Sequence, residues 1–364
     1  LVDHVNHGAD LAYVIGEMIG ELSCGHTYIT GGEMPRPERI KTGLLGAKIV
    51  HDKKSGYFRI EKILRGQNWD GSCKSPLTEV GVDANEGDYI LSVNGVSTKG
   101  MKNIYQALVN TVGRQVTLRL NSSPKEEGAR DVVVVPIGDE SNLYYYNWVQ
   151  SNTEKVNKAT DGKVGYIHVP DLGPQGLNEF VKHFYPQLRK KALIIDVRSN
   201  GGGNVSPMLI ERLRREIAMV SMSRDTIPSP DPDAVMLGPK VCLMDEFSAS
   251  DGDIFPYRFK KYGLGKLIGK RTWGGVVGIR GSLPLLDGGS LTKPEFAIYN
   301  LKGEWIVEGR GVEPDIYVDN DPVKEYAGID QQLDKAIEVI LEELKKDGVE
   351  LPDIPPYPDK KKKK

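Results

Sequence analysis

V-C-L-M-D-E-F-S-A-S-D-G-D-I-F runs from Val241 to Phe255. Val241 to Met244 form an apolar run too short for an independent helix, and read as a buried strand. Asp245 and Glu246 end it. The small residues Ser248 to Gly252 let the backbone turn tightly. Apolar and aromatic positions return after Asp253 (Ile254, Phe255, Tyr257, Phe259), which predicts a helix start there. Ser250 therefore sits at a strand-to-helix turn. Its hydroxyl can be exposed while the first helical N–H groups point at whatever it attacks, the geometry that nucleophilic serine catalysis needs. Ser248 and Ser250 are also residues that cap helices. The turn by itself leaves both roles open.

The chain has 364 residues, enough for two or more domains. Apolar content of 39% and charged content of 27% describe a soluble globular protein. A net charge of -2 gives no basic field for nucleic acid and no acidity suggesting disorder. The exception is Lys360 to Lys364, a solvated tail after a Pro-rich stretch. No apolar run reaches membrane-spanning length, so no membrane partner is expected. Cys24, Cys73 and Cys242 are odd in number, far apart and outside metal-ligand spacing. They read as free thiols of a reducing compartment, which points to the cytoplasm. A removed signal peptide would leave a periplasmic home open, because the chain begins at Leu1. It reads as a fragment or processed form. His4 and His7 have no third ligand nearby and read as surface residues, so no metal or other cofactor is expected.

Upstream, residues 9–22 place Leu11, Val14, Ile15, Met18, Ile19 and Leu22 at helical spacing. Ser23 to Gly25 break the pattern, His26 follows at the helix end, and Tyr28-Ile29 read as extended. Residues 30–41 are a linker by composition. From there strand-like segments at 47–50, 57–64, 87–95, 115–121 and 130–136 surround a helical stretch at 101–112. An Asn-Gly turn follows the third strand. The aromatics of 143–150 read as packing residues. Beyond them strands at 164–169, 192–197, 241–244 and 266–269 alternate with helices at 174–189, 207–219 and 253–261. A Pro-rich loop spans 226–239, and strands with an Asp-Gly-Gly turn run to about 308. A helix at 329–346 closes an α/β domain. After the buried strand 192–197 comes Arg198-Ser199-Asn200-Gly201-Gly202-Gly203-Asn204. That run could cradle a phosphate, though it does not fit G-x-G-x-x-G. It could equally bring a backbone N–H up to a developing oxyanion.

The unit at 41–138 resembles a PDZ domain. Gly43-Leu44-Leu45-Gly46 matches the loop where that family receives a peptide C-terminus, beside a groove that accepts an added strand. The long loop at 66–75 would reshape that groove. Three further stretches resemble one group of peptidases: D-V-R-S-N-G-G-G (196–203), D-E-F-S-A-S-D-G-D-I-F (245–255) and G-K-R-T-W-G-G-V-V-G (269–278). The first two are similar to C-terminal processing peptidases and to tricorn-type peptidases. The third separates the branches. Processing peptidases carry the lysine of a Ser-Lys dyad there, and the aligned position here is Gly275. G-E-L-S-C-G-H-T-Y (20–28) resembles the tricorn histidine segment, and V-E-G-R-G-V-E-P-D-I (307–316) its glutamate segment.

The resemblance implies an α/β fold: a crotonase/ClpP-like peptidase core (139–348) with an inserted PDZ domain and an N-terminal helical segment (1–40), followed by a tail (349–364). It implies Ser250 as nucleophile, His26 as base, Glu308 as orienting group, and the N–H groups of Gly203 and Asp251 as oxyanion hole. Substrate contact falls to Gly202, to Ser221 and to the Gly43–Gly46 loop. Ser221 stands where tricorn has an aspartate favouring basic residues, so that preference does not carry over. Gly25 replaces the serine that links glutamate to histidine. The link must then be direct, through water, or through Ser23 or Thr27. The implied substrate is a peptide or unfolded polypeptide. The implied assembly is a homo-oligomer with propeller domains ahead of this region. The competing expectations are a PDZ-type binding protein with a degenerate peptidase site and, by fold analogy, a crotonase-like thioester enzyme.

Overall fold

The structure is a computed structural model that describes residues 1–33, 37–346, 350–357, 359 and 361. Part of the linker (34–36), residues 347–349 and most of the lysine tail lie outside the described residues. The chain divides into two compact units, Leu1–Pro35 with Asn152–Lys364, and Arg36–Ser151.

The larger unit is built on a five-stranded parallel sheet. Its order is Ile316–Tyr317, Gly265–Gly269, Lys240–Met244, Ala192–Asp196 and Val164–His168. Ala192–Asp196 is buried at all five positions because helices cover both faces, as parallel strands require. Helices Pro174–Phe184, Ser206–Leu213 and Asp251–Lys261 alternate with those strands. Helix Gln331–Lys346 buries Leu333, Ala336, Ile337 and Ile340, the 3–4 spacing of one face. Arg198 is 7% exposed and ties the first strand-end loop to that helix. Its guanidinium donates to Asp196 (Nε–Oδ1 3.0 Å) and Gln332 (3.1 Å), and pairs with Asp330 (2.9 Å).

Two helical expectations came out with different bounds. The 207–219 stretch ends its helix at Leu213, because Met219–Ser221 instead pairs antiparallel with Ser229–Asp231 from the Pro-rich loop. The helix after Ser250 begins two residues early, at Asp251. His7 caps helix Gly8–Gly20 through Nδ1, which accepts the Asp10 N–H at 3.4 Å.

The smaller unit is an antiparallel sheet with Ala47–His51 and Arg130–Val134 at its edges and Phe58–Ile63, Tyr89–Val93 and Val116–Asn121 between them. Asn94 (φ 49°) and Gly95 (φ 78°) form the turn into Val96–Ser97. Leu45, Ile60, Ile90, Leu118 and Leu120 are its centre. The 101–112 stretch holds only a 3₁₀ turn, Ile104–Leu108. Asn103 caps it by accepting the Tyr105 N–H, and Asn110 (φ 59°) turns the chain away soon after. Of the aromatics at 143–150, Tyr144 and Trp148 remain exposed, while Leu143 packs on Leu64 and Cys73.

Candidate active site

Parallel strands all deliver their following loops to the same edge of a sheet. Strands Ala192–Asp196, Lys240–Met244 and Gly265–Gly269 are direct neighbours. The loops after them are the Arg198–Asn204 run, the Asp245–Ser250 turn and the 270–278 segment. Adjacency in the sheet thus brings three distant sequence motifs together.

Ser250 lies at φ 58°, ψ -121°, a region that non-glycine residues rarely occupy. Strain of this kind costs about 1–3 kcal/mol and persists only where the surroundings impose it. Here they do: the Ser250 N–H donates to Gly275 O (3.1 Å) and the Ala249 N–H to Asn200 O (2.9 Å). The two serines of the turn divide its roles. Ser248 is buried and structural, donating from Oγ to Val197 O at 2.8 Å. Ser250 occupies the N-cap position but makes no side-chain cap bond, so its hydroxyl is not committed to the helix.

Gly202 presses on this turn. A Cβ on it would stand 2.6 Å from Ser250 Cβ and 2.9 Å from Asp251 N, at a φ of +96°. Gly203 (φ +150°) leaves no room either, with Leu172 O 2.0 Å from an added Cβ. Leu172 donates to Gly202 O and accepts from Asn204 and Val205. The N–H groups of Gly203 and Asp251 take no part in the backbone bonds that close these turns. The Asp251 carboxylate is occupied elsewhere, accepting the Ser206 N–H (2.9 Å) and hydroxyl and pairing with Arg258 (3.6 Å). Replacing Gly202 by alanine is expected to cut turnover about a hundredfold or more, the scale of losing an oxyanion donor. Steady-state kinetics would check it, with a lowered melting temperature expected alongside because the added Cβ forces the turn to shift.

Two polar residues that sequence reasoning left without a role organise the floor. Asn200 is fully buried; its Oδ1 accepts the Gly202 N–H (2.9 Å) and its Nδ2 donates to Val169 O (2.8 Å). Asp253 is fully buried and accepts the Gly274 N–H at 2.7 Å. Burial pushes its carboxyl up, against the Thr272 hydroxyl and the Gly274 N–H. Asn200 was visible only as part of the glycine run, and Asp253 only as a helix-start residue.

Glu308 joins the N-terminal segment to this assembly. Its Oε1 accepts the Gly25 N–H (2.7 Å), and its Oε2 accepts the N–H groups of Val276 (2.6 Å) and Val277 (2.8 Å). Neither Ser23 nor Thr27 bonds to it; the Thr27 hydroxyl donates to Cys24 O (3.1 Å). Of the expected routes (direct, through water, or through Ser23 or Thr27), neither side chain is used; Glu308 contacts the histidine segment through the Gly25 backbone amide. Glu308 is presented by a γ-turn: its N–H donates to Ile306 O (2.8 Å) across Val307, whose φ is +69°. A β-branched residue at positive φ is an outlier, held here by burial of Val307 in the core.

His26 (φ 61°) follows Gly25. Its C=O accepts the Thr292 hydroxyl (2.8 Å), and Ile29–Gly31 pairs with Gly289–Thr292. A Cβ on Gly25 would lie 3.1 Å from both Glu308 Oε1 and Gly275 Cα, and Gly275 O in turn holds the Ser250 N–H. The His26 and Ser250 segments therefore meet at Gly275. No hydrogen bond joins Ser250 Oγ to the imidazole, and His26 Nδ1 is buried without a partner. Ser221 is placed apart from this network. It is exposed in the Met219–Ser221 hairpin, and its C=O accepts the Ser229 hydroxyl at 3.4 Å. The Gly43–Gly46 loop belongs to the smaller unit. There the Gly43 N–H donates to Leu108 O (2.8 Å), the Leu44 N–H to Ile137 O (2.8 Å) and the Gly46 N–H to Glu140 (2.7 Å), while Leu45 is core. Among the described residues no cluster of His, Cys, Asp or Glu could hold a metal ion, and no helix is long and apolar enough to cross a membrane.

Known proteins carry the same sequence pattern. Residues 163–318 match Peptidase family S41 and residues 43–139 match the Tricorn protease PDZ domain. The chain is 38% identical over 347 residues to the tricorn protease of Thermoplasma acidophilum, covering 95% of this chain and 32% of that protein. It is 38% identical over 346 residues to the tricorn protease homolog of Saccharolobus solfataricus, covering 94% of this chain and 32% of that one. The crystal structure of the tricorn protease superposes with a TM-score of 0.86 at 37% identity, over 94% of this chain and 33% of that one. The chain thus spans about a third of the length of these relatives. The larger unit is similar over residues 163–318 to peptidase family S41, and the smaller unit over residues 43–139 to the tricorn protease PDZ domain.

Proposed function

We propose that this chain is the peptidase portion of a tricorn-type serine endopeptidase that hydrolyses peptides or unfolded polypeptides. The observation that carries this reading is the Ser250 turn, a strained, uncommitted hydroxyl with two unused backbone N–H groups beside it. Ser250 Oγ attacks the scissile carbonyl carbon and passes its proton to His26. The oxyanion settles on the N–H groups of Gly203 and Asp251. His26 then returns the proton to the leaving amine, and water repeats the sequence on the acyl-enzyme. The missing Ser250–His26 bond accords with sites whose hydrogen bonds tighten only around substrate. Homo-oligomeric assembly, propeller domains and a cytoplasmic setting belong to the same reading; three free cysteines support the last. Incubation with an unfolded polypeptide, followed by mass spectrometry, is expected to yield internal cleavage products. An intact polypeptide after prolonged incubation would count against it.

In this reading Glu308 is a positioning residue. Both its oxygens are spent on backbone N–H groups, so it holds the Gly25–His26 segment rather than the ring. Glu308→Gln would turn an amide NH2 toward N–H donors. The expected cost is about 1–3 kcal/mol of stability. A lower kcat with nearly unchanged KM is expected alongside it, from a His26 held less firmly. Thermal melts and kinetics check both.

A second reading has one observation in its favour. His26 Nδ1 has no orienting partner, which suits a PDZ-type binding protein with a degenerate peptidase site. Such a protein would not react with a fluorophosphonate.

A further inference from the structure

The Gly43–Gly46 loop and its surroundings hold a carboxylate already. Glu140 is 9% exposed, and its Oε1 accepts the Gly46 N–H at 2.7 Å. The Ala47 N–H faces the same carboxylate and favours its charged form. Two consecutive amides converging on one anion form a backbone nest, opened here by the positive φ of Gly46 (71°). A side chain at Gly46 would crowd it, since a Cβ there would stand 3.0 Å from Pro76 and 3.2 Å from Ser75 Oγ. The Ser75 hydroxyl is fully buried and has no hydrogen-bond partner, a spare donor beside the same loop. The strand that leaves the nest, Ala47–His51, is an edge of its sheet. A peptide whose terminal carboxylate lay on the nest could extend along that edge as an added strand.

We propose that Glu140 is an internal stand-in for a peptide C-terminus: the nest is a receptor for a terminal carboxylate, and Glu140 keeps it closed to free peptides until it swings out. Ligand and plug carry the same group, so they compete for the same two N–H donors. This is independent of the peptidase reading. Burial pushes the Glu140 carboxyl up despite those donors.

The test uses the full chain carrying Ser250→Ala, so that no probe is cut. Binding of a labelled hexapeptide ending in valine is measured by anisotropy, as the free acid and as the C-terminal amide. With Glu140 present, acid and amide are expected to bind alike. With Glu140→Ala the acid is expected to bind at least tenfold tighter than the amide. Acetate is also expected to raise the melting temperature of Glu140→Ala above its value in chloride, and not that of the parent. Should Glu140→Ala fail to fold, Glu140→Gln keeps the side-chain volume and is expected to show the same acid preference more weakly. A parent that already prefers the acid tenfold overturns the proposal. So do variants that bind acid and amide alike.

Discussion

Ser250→Ala is expected to lower peptide hydrolysis by about 10⁴- to 10⁶-fold, the loss seen when a serine nucleophile is removed and the oxyanion donors remain. The folded chain should notice the change very little. Ser250 Oγ makes no hydrogen bond that alanine would break, and the turn is imposed by backbone bonds to Gly275 and Asn200. Activity and stability are thereby separated, and that separation is diagnostic. A capping serine would behave in the opposite way, costing about 1 kcal/mol of stability and no turnover. Ser248→Ala is the internal control, because its hydroxyl is committed to Val197 O (2.8 Å). It should reduce stability first. Paired kinetics and thermal melts of the two variants distinguish the roles.

His26→Ala is the second large effect, expected within about tenfold of the loss in Ser250→Ala, because nucleophile and base act as a unit. For the same reason the double variant should be no slower than either single one. Additive losses would mean that the two residues act separately. Alanine at φ 61° pays a strain of about 1 kcal/mol. Against that, the change removes a buried, unpartnered nitrogen, so the net loss of stability should be small. Added imidazole should restore part of the turnover of His26→Ala and none of that of Ser250→Ala. Rescue of this kind reports proton transfer, which a merely structural histidine would not supply.

Much of the peptidase unit was legible in the sequence because its signals are local. Ala192–Asp196 and Lys240–Met244 are short apolar runs, and only a strand buried on both faces accommodates such runs in an α/β order. The Ser250 turn was legible for the same reason, as small residues between a strand and a helix. Tertiary pairing overrode local propensity elsewhere. Residues 219–221 carry no helix breaker, yet they pair with 229–231 and leave the helix. The helical pattern at 101–112 collapsed to one 3₁₀ turn between Asn103 and Asn110, both of which favour turn geometry.

Contacts made by the backbone were not legible at all. Every non-proline residue offers the same N–H, so nothing in the sequence marks Gly25, Val276 and Val277 as the donors to Glu308. Gly25 is separated from Glu308 by 283 positions, and Gly46 from Glu140 by 94. A loop matched to a peptide-binding pattern therefore gave no hint that its own chain fills it. The Gly25 substitution reads differently once that backbone bond is seen. A serine link is absent, yet the histidine segment remains attached to the glutamate.

The most direct measurement is fluorophosphonate labelling of the intact chain followed by peptide mapping. A single adduct on Ser250, lost in His26→Ala, is the predicted result. No adduct, or one on a different serine that persists without His26, would contradict the assignment of this turn as the nucleophilic centre.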